Sequence, residues 1–337
     1  MILRYRVHVQ LLEVLIAISV YTCNSIETIC RKEINNNMKF NITCTCNDNI
    51  KVFRVFEELY FEDAQYVTIR NCEKLILEST DITSSDLEQL RLHNIHTAIF
   101  SLFLPSSLSS LEIEDVGNLT GLSYHIFIHV SYLQNLVIKN TNVQFVESHI
   151  FSDISVESIH FINTTFKYLK SSSMNFTGMK DSLNSVIHIE KCTFEKLESS
   201  AISVKGISAF QILDSEFKEI LKEGTFRILT TTTLLESNTF TCSKGDDTCN
   251  KDIHFGILEN LKGFTQHNSQ DMCKLLQMNY CNSQKTKSLI RSLQTCYPKL
   301  LEYEGSKSCM PLESDKGHNI YLNISLSLVC ILVLKVM

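Results

Sequence analysis

The chain has 337 residues, 44% of them hydrophobic and 20% charged, with 13 Cys, 10 Gly, 3 Pro and no Trp. That apolar share, with 19 Phe and 11 Tyr, supports a packed core and excludes a disordered tail protein. Few glycines argue against glycine-rich cofactor loops and a doubly wound enzyme; a net charge of −6 argues against nucleic acid as the main partner.

Arg4 and Arg6 open the chain, and Leu11 to Tyr21 form an apolar stretch broken only by Glu13 and Ser19. Small and polar residues follow, as far as Ser25. This order predicts a secretory signal peptide over residues 1–25. In a secreted chain the sequons at Asn41, Asn118, Asn163 and Asn175 are expected glycosylation sites. Cysteines become oxidised there. With Cys23 and Cys330 set aside in the two apolar ends, the others form two groups. Cys30, Cys44, Cys46 and Cys72 come early; Cys242, Cys249, Cys273, Cys281, Cys296 and Cys309 come late. Cys192 stands alone between them, so the simplest count pairs ten and leaves Cys192 free.

Residues 64–241 repeat. LEQLRLHN from Leu87, LSSLEIED from Leu108, LQNLVIKN from Leu133 and VESIHFIN from Val156 carry apolar residues at positions 1, 4 and 6. The same frame fits segments starting at Ala64, Asn184, Ile207 and Thr230. Position 4 holds Val67, Leu90, Leu111, Leu136, Ile159, Ile187, Phe210 and Thr233. Position 6 holds Ile69, Leu92, Ile113, Ile138, Phe161, Ile189, Ile212 and Leu235. Alternation over these positions predicts eight short strands, each with one face buried. Val143, Phe166, Phe194, Phe217 and Phe240 fill position 11 of the later turns, as a stacked interior requires. A single repeat cannot bury its own apolar face, so neighbours must stack into a solenoid with one long parallel sheet.

The frame resembles the leucine-rich repeat, LxxLxLxxNxL, from Ala64 to Phe240. Position 9, where that family prefers Asn or Cys, holds Cys72, Thr141, Thr164, Cys192, Ser215 and Asn238, but also Ile95 and Val116. Cys192 then reads as a buried thiol facing its backbone ladder. Residues 26–63 resemble the family's N-terminal cysteine cap and residues 242–313 its C-terminal one. The resemblance implies that Cys30, Cys44, Cys46 and Cys72 pair among themselves. It also implies Cys242 with Cys273, and Cys249 with Cys281 or Cys296. The second cap departs from the family's CxC, with six residues between Cys242 and Cys249. A second resemblance, to the right-handed parallel β-helix, is carried by HIEKCTFEKLESSAISVKGISAFQILDSEF from His188 to Phe217. It implies a second strand at AISV, where a leucine-rich horseshoe has a helix or irregular arc.

Beyond the repeats, MCKLLQMNYC and TKSLIRSLQTC have helical apolar spacing, which predicts a helical, disulfide-stapled cap. Residues 314–337 end in the apolar run from Ile320 to Met337. A small or short site residue, a polar stretch and a terminal apolar run resemble a glycolipid-anchor signal, with attachment expected at Ser314 or Asp315. A single membrane helix is the rival reading.

The sequence contains no GxSxG, HExxH, phosphate-binding glycine loop or calcium-loop motif. His125 and His129 are two ligands at most, so no metal or other cofactor is expected. The outward positions 5 and 7 carry Arg91, Glu112, Glu114, Lys139, His160, His188, Glu190 and Gln211, the candidate partner face. A polysaccharide-cleaving β-helix enzyme would be expected to cluster Asp with Arg or Lys there, and those columns hold no Asp. The expected function is therefore non-enzymatic recognition or adhesion at the cell surface, with an extracellular protein ligand or receptor as partner. The leucine-rich-repeat resemblance implies that partner class. The alternatives are a β-helix carbohydrate-active enzyme and a structural protein of an extracellular coat.

Overall fold

The computed structural model describes residues 30–34, 39–46, 51–55, 64–78, 86–101, 103–178, 185–219, 225–241 and 280–281. They form a parallel β-solenoid. All eight expected strands are present: Ala64–Glu78, Gln89–Ser101, Ser110–Leu119, Tyr132–Lys139, Ser155–Ile162, Val186–Glu190, Ile202–Leu213 and Phe226–Glu236. Each pairs in parallel with the next, in the register that the repeat frame demands. Val67 lies beside Leu90, then Leu111, Leu136, Ile159, Ile187, Phe210 and Thr233. The Ile69 to Leu235 column runs parallel to it and is buried throughout. Alternate side chains of a strand point to opposite faces, so position 4 from Val67 to Phe210 and position 6 throughout fill the interior, and positions 5 and 7 face outward.

The stack starts one turn earlier than the repeat frame. Phe40–Thr45 pairs in parallel with the first repeat strand, Ile42 beside Val67 and Cys44 beside Ile69. The segment expected as the N-terminal cysteine cap thus adds a strand to the sheet. Cys30–Ile34 adds antiparallel to its free edge. Disulfides Cys30–Cys44 and Cys46–Cys72 staple this end, so the four early cysteines do pair among themselves. Covering and cross-linking the terminal strand protects an edge that would otherwise template further pairing.

A second short ladder follows the corner of each later turn. Asn142–Val143, Thr165–Phe166, Thr193–Phe194, Glu216–Phe217 and Thr239–Phe240 pair successively. Phe166, Phe194, Phe217 and Phe240 stack with interplanar angles of 8–9° and centroid spacings of 4.8–5.4 Å. The column continues through Leu119, Ala98 and Leu75, one position later in the frame, because the early turns carry one more residue at the corner.

A third strand completes the later turns. Met174–Gly178 pairs with residues 202–205, which pair with 226–229. The AISV segment is therefore largely strand, as the β-helix resemblance implies. The chain bends within Ile202–Leu213 at Gly206, whose φ of +68° lies in the region open to glycine. Gly178 lies in the turn beneath, where an added Cβ would come 1.9 Å from the Gly206 carbonyl oxygen. Among the described residues the helical content is one 3-10 turn, Tyr124–Phe127, and no helix is long and apolar enough to cross a membrane. Tyr280–Cys281, expected at the end of a helix, instead pairs in parallel with Thr239–Phe240. The expected signal peptide at residues 1–25, the other late cysteines and the tail with Ser314 and Asp315 lie outside the described residues.

Position 9 is where the ladder turns its corner, and all eight of its residues are buried. The polar ones bond to backbone. Thr164 Oγ1 donates to the Ile138 and Ile162 carbonyls, Ser215 Oγ to Leu213 and Asn238 Nδ2 to Ile212. Cys192 is a free thiol whose Sγ donates to the carbonyls of Phe161 at 3.3 Å and Glu190 at 3.4 Å. Burial pushes it up to about 12, so it remains a protonated thiol at physiological pH. Folded protein should therefore leave Cys192 unmodified by iodoacetamide, and denatured protein should not. Peptide mass mapping checks this, and labelling of Cys192 in the folded chain would place it outside the core.

Candidate functional site

The eight residues of the expected partner face lie on one outward sheet surface. In the position 5 row, Arg91 neighbours Glu112, then Val137, His160, His188 and Gln211. In the position 7 row, His93 neighbours Glu114, Lys139, Ile162, Glu190 and Leu213. Turn lengths vary, but the variation is absorbed in the connecting loops and leaves these rows in register. Strands about 4.8 Å apart set the spacing along each row, so the side chains form a fixed two-row grid.

Ion pairs between turns organise the N-terminal half of this grid. Arg91 Nε donates to Glu112 Oε2 at 2.6 Å, and Gln89 Nε2 to Glu112 Oε1 at 2.8 Å. The hydrogen bond to Glu112 raises the Arg91 guanidinium above its ordinary value. Lys139 Nζ donates to Glu114 Oε1 at 2.5 Å. Such half-exposed pairs contribute little stability, but they hold long side chains in set orientations.

The C-terminal half is less charged. The imidazoles of His160 and His188 lie 5.9 Å apart in successive turns. Ser158 Oγ lies 2.8 Å from His160 Nε2. His188 is bracketed by Gln211 Oε1 at 3.1 Å and Glu190 Oε2 at 3.2 Å. Desolvation, followed by the neighbouring His188, lowers the proton affinity of His160. The Lys191 ammonium, then His188, holds the Glu190 carboxyl below the usual carboxylate range. Val137, Ile162 and Leu213 are half-buried between these polar groups, and Leu234 is exposed. The arrangement is a patchwork of apolar and charged side chains.

The sequons are spread along the stack. Asn163 is exposed at a corner, with Nδ2 donating to Asn140 Oδ1 at 2.9 Å. Asn118 is half-buried and accepts from Gln144 Nε2 at 2.5 Å. Asn175 is half-buried, and its Nδ2 donates to Ser152 Oγ at 3.3 Å. Asn41, on the strand Phe40–Thr45, buries its Oδ1 without a hydrogen-bond partner among the described residues.

Two features were missed at the sequence level. One is the corner column at position 8, where Asn71, Asn94, Asp115, Asn140, Asn163, Lys191, Asp214 and Ser237 all have φ between 48° and 60°. Asn and Asp tolerate that left-handed conformation best among residues with a side chain, so the column was present as a sequence signal. The other is the pairing of His93 with Glu114 and Asp115, whose carboxylates approach its Nδ1 from the next turn. His125 and His129 flank the ring of Phe103, at centroid distances of 5.9 and 6.1 Å.

No protein-family model, no curated protein and no solved structure matches this chain.

Proposed function

We propose that the chain is a non-enzymatic extracellular recognition or adhesion protein. In this reading it is a parallel β-helix that binds a protein partner through the outward face of its long sheet. The signal peptide at 1–25 delivers it, a lipid anchor at Ser314 or Asp315 holds it at the cell surface, and the four sequons carry glycans. The observation that carries this reading is the register itself. It places Arg91, Glu112, Glu114, Lys139, His160, His188, Glu190 and Gln211 on one continuous surface at fixed spacing. A preset array of charged and apolar groups favours a protein surface of complementary pattern. The two disulfides support an oxidising compartment.

Residues 26–313, secreted as a fusion to an antibody constant domain, should label a subset of cell types. The double variant His160→Glu, Gln211→Glu should lose at least about tenfold of that labelling, the scale of a disrupted interface centre. Equal labelling by the variant, or labelling of no cell, overturns the reading. Turnover of a polysaccharide by the same protein would favour a carbohydrate-active β-helix enzyme instead.

A further inference from the structure

We propose that His93, Glu114 and Asp115 form a binding site for one divalent transition-metal ion of the zinc type. His93 stands at position 7 of one turn; Glu114 and Asp115 stand at positions 7 and 8 of the next. One ligand atom from each lies within 4.8 Å of the other two. His93 Nδ1 is 3.5 Å from Asp115 Oδ2 and 3.8 Å from Glu114 Oε2.

These distances are longer than direct hydrogen bonds and leave room for an ion among the three groups. Zinc bonds to nitrogen and oxygen of about 2.0–2.1 Å put tetrahedral ligand atoms about 3.4 Å apart. Closing the three ligand atoms from within 4.8 Å of one another to that separation would complete the geometry. The other histidine–carboxylate pair on this face is tighter, with His188 Nε2 only 3.2 Å from Glu190 Oε2.

The outer oxygens are already occupied, which orients the inner ones. Lys139 Nζ holds Glu114 Oε1 at 2.5 Å, and Asn140 Nδ2 holds Asp115 Oδ1 at 2.8 Å. Both come from the following turn, so that turn supplies the supporting contacts that metal-binding carboxylates ordinarily have. Asp115 sits at the left-handed corner with φ of 56°, immediately after Glu114. Two carboxylates against one ammonium leave a net negative charge for a dication. One imidazole with two carboxylate oxygens suits zinc and its first-row neighbours better than calcium or magnesium, which take oxygen shells. The three side chains are 35–40% exposed, so the site opens to solvent and leaves a coordination position for water.

The test is calorimetric titration of the purified full-length chain with Zn2+, paired with the visible spectrum of the Co2+ form. One ion per chain is expected, with the d–d bands of four-coordinate cobalt. His93→Gln and Asp115→Asn should each weaken binding by at least about tenfold and remove those bands, while His188→Gln should leave both unchanged. Circular dichroism melting identifies a variant that fails to fold, in which case the other variant decides. Unchanged affinity in the folded variants overturns the site. So does a thiolate-to-cobalt charge-transfer band, which would place the ion on cysteine.

Discussion

Replacing Phe194 by Ala should lower the unfolding free energy by about 3–5 kcal/mol, the range for truncating a buried Phe. Phe194 is fully buried and lies between two other rings, 5.4 Å from Phe166 and 4.8 Å from Phe217. Its backbone is fixed on both sides by the short ladder, so neither neighbour can move far to fill the space. In a solenoid each turn is stabilised by its two neighbours, so a cavity in a middle turn weakens two interfaces at once. Urea unfolding followed by circular dichroism measures the loss. A value below about 1 kcal/mol would put the ring at the surface and break the register.

Removing the Cys46–Cys72 disulfide with the double variant Cys46→Ser, Cys72→Ser should cost about 3.5 kcal/mol. The bond spans 26 residues and ties the turn of Phe40–Thr45 to the one above. Without it, the unfolded chain regains the freedom of that loop. The terminal turn also has a neighbour on only one side and loses its cross-link to it. Thermal melting of the variant under non-reducing conditions gives the shift. A melting point equal to that of the parent would mean that the N-terminal turn contributes nothing to the stack.

The main ladder was legible because two physical demands coincide in it. A strand buried on one face needs alternation, and a stack needs that alternation to recur each turn, so Leu90, Leu92, Leu111 and Ile113 announce themselves. The phenylalanine column was legible only from Val143 onward. Before that, the extra corner residue moves Leu75, Ala98 and Leu119 one place along and out of the frame. The turn at Phe40–Thr45 has the alternation of Ile42 and Cys44 but not the leucine of position 1, so it read as a cap. The outward face was legible residue by residue, since positions 5 and 7 follow from 4 and 6. Its ion pairs across turns were not. Whether His93 meets Glu114 or Asp115 depends on a corner conformation that no spacing rule contains. The helical spacing that ends at Cys281 was overridden, for Tyr280–Cys281, by pairing with the edge at Thr239–Phe240.

Outward residues far apart in sequence form one row along the sheet. Spin labels carried on unnatural amino acids at Thr68 and Gln211 measure the length of that row. Six strand-to-strand steps separate these positions in the ladder, through Arg91, Glu112, Val137, His160 and His188. At about 4.8 Å per step, pulsed electron–electron resonance should return a single narrow distance of about 29 Å. A broad distribution, or a distance under about 20 Å or over about 40 Å, would mean that these strands do not stack in one continuous sheet.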